Sequence, residues 1–167
     1  PLNQALEDVG LGSWKHDWLA DPTLAKFCVL TVMVWQNVGF VMVIYLAGLQ
    51  NIPQELNEAA AIDGANARQS FWYITLPLLQ PTMVFSVVTG VIGALQVFGP
   101  IYIMSSGGDG LPGGPANATE TIATQSYERS FVEFKFGQGA ALSNILIVIS
   151  LAFAIVYLRA TRRRIDE

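Results

Sequence analysis

Three long stretches of apolar residues divide the chain, and more polar segments separate them. They run from Phe27 to Leu49, from Thr82 to Met104 and from Ala140 to Leu158, and none of them contains a charged residue. Each holds roughly 20 residues, which at ~1.5 Å of rise per residue spans the ~30 Å hydrocarbon core of a bilayer. The pattern therefore predicts three membrane-spanning helices, at about 27–49, 82–104 and 140–158.

The composition favours a membrane protein over a soluble one. Charged residues make up 13% of the 167 residues, whereas soluble domains carry about 25%. A soluble core built from three such helices would need far more polar sequence to cover it. We predict an all-α fold of the polytopic membrane class, a helical bundle embedded in the lipid bilayer.

The candidate chemistry within the chain is sparse. A net charge of −4 offers no basic surface to nucleic acid, and Cys28 and His16 are the only residues of their types. Neither a disulfide framework nor a Cys/His metal cluster can form from them. The glycine-rich segment at 107–114 has no lysine to contact phosphates. The apolar stretches contain no ionisable base to activate a serine, which argues against an intramembrane enzyme. We expect no catalytic residue, metal, cofactor or nucleic-acid partner.

Charge next to the membrane predicts the orientation. Four arginines follow the third apolar stretch closely: Arg159, Arg162, Arg163 and Arg164. Positively charged segments of this kind stay in the cytoplasm. Three crossings then place the segment at about 50–81 in the cytoplasm, and residues 1–26 and the loop at about 105–139 outside.

The two external segments carry helix signals of their own. Asp21 ahead of Pro22 predicts an N-cap where the first spanning helix starts. Apolar residues at near-helical spacing within 120–136 predict a short amphipathic helix at the outer surface. This helix could face another protein or lie on lipid.

The segment between the first two spans predicts a helical hairpin. Asn51 is a candidate N-cap, the alanine run 59–61 strongly favours helix, and Gly64 is expected to end that helix. A second helix is expected over 66–75, ended by the Leu-Pro pair at 76–77. These signals leave two interpretations open: a hairpin packed on its own protein, or a docking surface for another protein.

A longer pattern in this segment resembles a known family. Residues 58–65 read Glu-Ala-Ala-Ala-Ile-Asp-Gly-Ala and are followed by Phe71, Ile74, Leu76, Pro77 and Pro81. The pattern resembles, at the expected spacing, the "EAA" signature of permease subunits from binding-protein-dependent ABC importers. Residues 35–40, 46–50 and 98–102 are similar to the carbohydrate-uptake subgroup of maltose and glycerol-3-phosphate permeases. The resemblance covers nearly the whole chain, and the turn at 106–115 is longer than in the family.

This resemblance implies a place for the chain within a larger domain. Residues 1–167 would form the C-terminal part of a single permease transmembrane domain in a prokaryotic plasma or inner membrane. The segment at about 51–77 would hold the coupling helix, which in the family sits in a groove of the ATPase subunit. The residues implied in coupling are Glu58, Ala59, Ala60, Asp63, Gly64, Ala65, Phe71, Leu76 and Pro77.

The implied function is ATP-driven import of a small solute by alternating access, with a sugar or sugar derivative as the substrate class. A separate ATPase dimer would bind and hydrolyse ATP, so the chain itself needs no cofactor. A second permease subunit and an extracytoplasmic solute-binding protein are the other implied partners. The alternative is a non-transporting membrane scaffold or receptor segment whose cytoplasmic helix binds a different partner.

Uncharged polar residues inside the spans suggest a substrate path. Such residues are costly to expose to lipid and should face the bundle or a wet cavity. Sugars need amide or hydroxyl partners for their hydroxyls and aromatic rings for their apolar faces. A kink at Pro100 would be required to bring such groups of the second span together. The predicted path residues are Gln96, Phe98, Tyr102, Asn37 and Asn144, and helix–helix contact is the alternative role for them.

Overall fold

Helices form all the regular structure in the described part of the chain, and no strand occurs within it. A computed structural model describes residues 2–105 and 113–165, the side chains of 162–165 excepted. Most of the predicted glycine-rich turn, at 106–112, lies outside the described residues. The chain begins with α1 (Leu2–Asp8), a 3-10 turn (Gly12–Trp14) and the long helix α2 (Pro22–Gln50).

The N-terminus of α2 is capped as predicted. The Asp21 carboxylate accepts hydrogen bonds from the backbone N–H groups of Thr23, at 2.7 Å, and Leu24, at 3.0 Å. The N–H groups of Leu24 and Thr23 hold the pKa of Asp21 below its usual value. The cap satisfies two donors that the first turn of a helix otherwise leaves unpaired.

The hairpin after α2 begins later than predicted. Its first helix is α3 (Gln54–Ile62), with Pro53 at the N-cap position. The prediction of Asn51 as the cap is wrong, because the Asn51 N–H donates to the carbonyl of Ala47 at 3.2 Å and so continues the last turn of α2. Gly64 ends α3 as predicted.

The second half of the hairpin runs on into the second span. It comprises α4 (Ala67–Ser70), a π-helical turn (Phe71–Thr75) and α5 (Leu76–Leu78). The prediction that Leu76 and Pro77 end the helix is wrong, because helical turns continue through Leu76–Leu78 and the next helix starts at Gln80. A proline lacks the N–H and crowds the carbonyl four residues earlier, and the wider π turn just before Pro77 relieves both problems.

The second span is broken rather than kinked. It consists of α6 (Gln80–Leu95) and α7 (Gly99–Ser105), separated by residues 96–98. The break precedes Pro100, which lies in the first turn of α7, where a missing N–H costs nothing. The hydroxyl of Thr121 donates to the carbonyl of Val97 at 3.2 Å, and so satisfies a backbone acceptor that the break exposes.

The last part of the chain contains the predicted surface helix and the third span. The surface helix is α8 (Ile122–Tyr127), extended by a π-helical turn (Glu128–Val132). Thr121 and Thr124 cap it reciprocally, each side chain bonding to the other's backbone N–H. The third span is α9 (Phe136–Ile165).

Three segments are long and apolar enough to cross a membrane, and each encloses one of the three apolar stretches of the sequence. They are Pro22–Gln50, Gln80–Ser105 and Phe136–Thr161. Only 6%, 6% and 11% of their most apolar windows is buried within the chain. So much exposed apolar surface requires lipid or further protein around it.

The chain divides into two compact units. The first unit comprises residues 1–33 and 97–143, and the second comprises residues 34–96 and 144–167. Close contacts between small side chains occur in both units.

In the second unit, α2 and α6 approach each other closely at Gly48. A Cβ added to Gly48 would lie 2.7 Å from Oγ1 of Thr82 and 3.0 Å from Cδ2 of Leu79. On the same side of α2, the hydroxyls of Tyr45 and Ser86 are hydrogen-bonded at 2.9 Å. Gly48 is therefore required for the close crossing of these two helices.

In the first unit, α8 and α9 meet through small residues. The Ser126 hydroxyl donates to the carbonyl of Gly139 at 2.8 Å and lies 2.8 Å from the hydroxyl of Ser143. A Cβ at Gly139 would lie 2.8 Å from the carbonyl oxygen of Ser126 and would collide with the hydroxyl of Ser130. These residues set the distance between the surface helix and the third span.

Candidate functional site

The end of α3 forms a tight turn with defined hydrogen bonds. The N–H of Ala65 donates to the carbonyl of Ala60 at 2.9 Å, and the N–H of Gly64 donates to that of Ala61 at 3.1 Å. This pair of bonds is the Schellman motif, and Gly64 occupies its left-handed position with a φ of +79°. Only glycine adopts this conformation without a steric cost, which explains the glycine of the signature here.

The turn is fixed from its other side as well. The side chain of Asn66 accepts from the N–H of Gln69 at 2.9 Å, and the side chain of Gln69 accepts from the N–H of Asn66 at 2.8 Å. The Ser70 hydroxyl then donates to the side-chain oxygen of Asn57 at 2.7 Å, which ties α4 to α3. We call residues 63–66 the 63–66 turn; hydrogen bonds hold it at both ends.

The predicted coupling residues on α3 do not all face the same way. Glu58, Ala59 and Asp63 are exposed, whereas Ala60 is only 7% exposed and packs within its own chain. Ile62 is 86% exposed and was not among the predicted residues. An apolar residue two positions after an inward-facing alanine falls on the opposite side of a helix, a signal that the sequence contained.

The remaining predicted coupling residues surround the second half of the hairpin. Gly64 is exposed and Ala65 is half-buried. Phe71, in the π turn, is exposed and packs edge-on against Trp72 with ring centres 5.6 Å apart. Leu76 is half-buried and Pro77 exposed in α5. The hairpin therefore presents apolar as well as acidic side chains on its surface.

The predicted substrate-path residues lie on different elements. Phe98, in the break, and Tyr102, in α7, come together, with their rings stacked at 5.2 Å. Gln96 caps the C-terminal end of α6, Asn37 lies in α2 and Asn144 in α9, and all three are exposed. The stack requires no kink at Pro100, because Phe98 precedes α7 by one residue.

Tyr127 of α8 completes an aromatic cluster that the sequence did not reveal. Its ring centre lies 4.9 Å from that of Phe98 and 5.2 Å from that of Tyr102. A hydrogen bond with Tyr102 raises the pKa of Tyr127. Tyr127 lies 25 or more positions along the chain from Phe98 and Tyr102, so no local spacing signals its place in the cluster.

An ionic group stabilises the turn between α8 and α9. Arg129 Nη1 lies 2.7 Å from both carboxylate oxygens of Glu133, and Lys135 Nζ donates to one of them at 2.8 Å. Lys135 and Arg129 hold the pKa of Glu133 below its usual value. Between these residues Phe134 has a φ of +56° and is 74% exposed, an uncommon conformation for a bulky residue.

Neutralising Glu133 should loosen this turn. In Glu133→Gln the two cations lose their shared carboxylate, and we expect hydrogen exchange at the Lys135 amide to quicken about two- to fivefold. Because the pKa of Glu133 is lowered, its contribution is complete above the ordinary carboxyl value of about 4.3 and is lost as pH falls through the lowered value. Glu128→Gln removes an equal charge and is the control. Equal exchange rates in both variants at neutral pH would contradict the role of Glu133.

The described residues contain no cluster that could hold a metal ion. Within 2–105 and 113–165, no group of three or more His, Cys, Asp or Glu side chains comes together.

Comparisons with known proteins identify the family of this chain. The family model described as "Binding-protein-dependent transport system inner membrane component" matches residues 6–165. A putative ABC transporter permease protein of a Caldicellulosiruptor species is 42% identical over 86% of this chain and 99% of its own length. The trehalose/maltose transport system permease protein MalF of Thermococcus litoralis is 40% identical over 93% of this chain and 50% of its own length.

A solved structure confirms the fold class. It is a chain of a bacterial ABC transporter involved in the import of the acidic polysaccharide alginate. It superimposes with a TM-score of 0.81 at 24% identity, covering 97% of this chain and 54% of the other. The chain thus spans about half the length of the Thermococcus relative and of this structural neighbour. The predicted all-α membrane bundle with three spans and a helical insert is confirmed.

Proposed function

The chain belongs to the family of binding-protein-dependent transport system inner membrane components, and we propose that it helps to carry a sugar or sugar derivative inward across that membrane. Membership makes the chain an inner-membrane permease component and not an enzyme. The substrate class is supported by the trehalose/maltose permease, which is 40% identical to this chain. A non-transporting scaffold is not favoured, because the family consists of transport components.

The observation that carries the mechanism is the rigid 63–66 turn at the end of an exposed helix. Ala59 leaves room for close approach of another protein, Glu58 and Asp63 offer acceptors, and Ile62 offers an apolar contact. We assign this side of α3 to a separate ATPase subunit. The ATPase subunit binds and hydrolyses ATP, and the hairpin follows the movement of the ATPase.

The hairpin is connected to the second span without a flexible linker. From Ala67 to Leu95 the helical turns follow one another, and Leu79, between α5 and α6, keeps helical backbone angles. A displacement of α3 is passed to α4 through the 63–66 turn and the bond between Ser70 and Asn57. The first half of the second span, α6, therefore moves with the hairpin, which supports alternating access driven from the cytoplasmic side.

The proposed assembly has further partners. A second permease subunit completes the passage, and an extracytoplasmic solute-binding protein delivers the substrate on the side opposite the hairpin.

The test is purification of the complete protein from its native membrane, followed by reconstitution in liposomes. An ATPase subunit should co-purify in fixed proportion, and sugar uptake should require ATP. A pure complex without an ATPase would overturn the proposal.

The proposed substrate path makes a separate prediction. Losing one polar contact costs about 1–3 kcal/mol, or roughly ten- to a hundredfold in affinity. We therefore expect Gln96→Ala and Tyr102→Ala to weaken uptake of labelled sugar by that factor, with unchanged basal ATPase activity. Tyr102→Phe separates the two contacts that Tyr102 offers: it keeps the ring stacked on Phe98 and removes only the hydroxyl, so it should weaken uptake as much as Tyr102→Ala if the hydroxyl is the contact to the sugar. Normal uptake in both alanine variants would assign Gln96 and Tyr102 to helix packing instead.

A further inference from the structure

Tyr127, in the surface helix α8, contacts both aromatic residues of the proposed substrate path. Its ring is tilted by 45° against that of Phe98 and by 67° against that of Tyr102, with ring centres 4.9 and 5.2 Å apart. These distances are typical of interacting aromatic pairs. The ring of Tyr127, which is half-buried, therefore supports the stacked pair of Phe98 and Tyr102 from a different helix.

The hydroxyls of the two tyrosines are hydrogen-bonded to each other, and this bond raises the pKa of Tyr127. A phenol hydroxyl donates one hydrogen bond and can accept others. The bond to Tyr127 therefore fixes the direction in which Tyr102 presents its hydroxyl hydrogen and lone pairs. Hydroxyls linked in this way also polarise each other, which strengthens the bond to a further partner.

Helix α8 is anchored on two sides, so it can hold Tyr127 in place. At its N-terminus the Thr121 hydroxyl donates to the carbonyl of Val97, in the break of the second span, at 3.2 Å. Next to Tyr127 the Ser126 hydroxyl donates to the carbonyl of Gly139 in α9 at 2.8 Å. A side chain on an element fixed in this way is suited to orient another side chain.

We propose that Tyr127 is a positioning residue: it holds the Tyr102 hydroxyl in the direction in which that hydroxyl bonds to a hydroxyl of the sugar. This inference rests on the proposed function, and within it on Tyr102 as a contact to the sugar. Tyr127 acts through Tyr102 and need not touch the sugar itself. The positioning role requires the hydroxyl of Tyr127, whereas a packing role requires only its ring.

The test measures ATP-driven uptake by the complete transporter in liposomes, with a panel of labelled mono- and disaccharides that includes trehalose and maltose. Tyr127→Phe removes only the hydroxyl. We expect it to raise KM about two- to tenfold, the usual range for one hydrogen bond, with little change in the maximal rate. Tyr157→Phe is the matched control, because Tyr157 also stacks on a phenylalanine, Phe153, at 5.7 Å, and lies in the second unit. Equal KM values in the two variants would overturn the proposal.

The double variant Tyr102→Phe with Tyr127→Phe shows whether Tyr127 acts through Tyr102. Once the Tyr102 hydroxyl is gone, loss of the Tyr127 hydroxyl should raise KM no further, so the double variant should match Tyr102→Phe alone. Effects that multiply would mean that Tyr127 acts independently, and the proposal would be wrong. It would also be wrong if Tyr102→Phe left KM unchanged, because there would be no contact to position.

A measurement without transport tests the pair itself. NMR of the complete transporter with isotope-labelled tyrosines follows the ionisation of Tyr127 as pH rises. Tyr102→Phe should lower the pKa of Tyr127 toward the usual value of about 10, and Tyr157→Phe should not. An unchanged pKa would mean that the hydroxyls are not paired and would contradict the positioning role alone. A wild-type transporter that takes up no sugar of the panel would instead refute the proposed function together with this role.

Discussion

Replacing Gly64 with valine is expected to reduce ATP-driven uptake at least about tenfold while the chain still inserts into the membrane. Gly64 has a φ of +79° at the left-handed position of the Schellman motif. A residue with a β carbon pays about 1–2 kcal/mol or more in this conformation, which is close to a tenfold change in the population of the turn. The 63–66 turn would then lose its geometry, and α3 would no longer be fixed to α4. Uptake and capture of the ATPase are the measurements.

Gly64→Asn separates the two causes of such a loss. No atom of the described chain lies within 4 Å of a Cβ built on Gly64, so a side chain there meets only the backbone strain and a docked partner. Asparagine tolerates the left-handed region and should keep the turn. We expect hydrogen exchange to show that Gly64→Asn keeps α3 and α4 paired. Any loss of uptake in this variant would then come from a clash between the new side chain and the docked partner. Full uptake by a correctly assembled Gly64→Val protein would contradict the role of the turn.

Replacing Gly48 with valine is expected to destabilise the second unit by about 1–3 kcal/mol, the usual cost of overpacking. The new Cβ would meet Oγ1 of Thr82 at 2.7 Å and Cδ2 of Leu79 at 3.0 Å. The two helices would have to separate, which would also strain the hydrogen bond between Tyr45 and Ser86. Thermal unfolding of the purified protein in detergent measures the loss.

The chain offers a matched control and a rescue for this prediction. Gly90→Val in α6 makes the same change in helix propensity at a position where an added Cβ meets no atom of another described element within 4 Å, and should cost little within this chain. Thr82→Ala removes both Thr82 atoms that crowd Gly48, so the pair Gly48→Val with Thr82→Ala should recover part of the loss. A Gly48→Val protein as stable as Gly90→Val would show that the crossing adjusts freely.

The features that the sequence predicted well depend on local signals. The three spans follow from length and the absence of charge, because the cost of inserting a charge makes that absence informative. The Asp21 cap and the end of α3 at Gly64 follow from the preferences of single residues for helix ends. The signature around Glu58 predicted the family, which the comparisons confirmed.

The features that the sequence missed depend on contacts between distant residues or on backbone adjustments. The helix continues through Pro77 because the preceding π turn accommodates the proline. Helix propensities of single residues do not predict such a turn. The break at 96–98 comes before Pro100, and the Thr121 hydroxyl donates a hydrogen bond to the carbonyl of Val97 there. Tyr127 joins the aromatic cluster only because α8 folds back to Phe98.

If the hairpin docks on an ATPase subunit as proposed, the helical run from Ala67 to Leu95 acts as a lever. At ~1.5 Å per residue its arm is roughly 40 Å long, so a tilt of about 5° at the hairpin displaces the far end by about 3 Å. That distance is close to the diameter of a water molecule. Gln96 lies at the tip of the arm, so a small rotation of the docked hairpin would displace Gln96 by about the size of one water molecule.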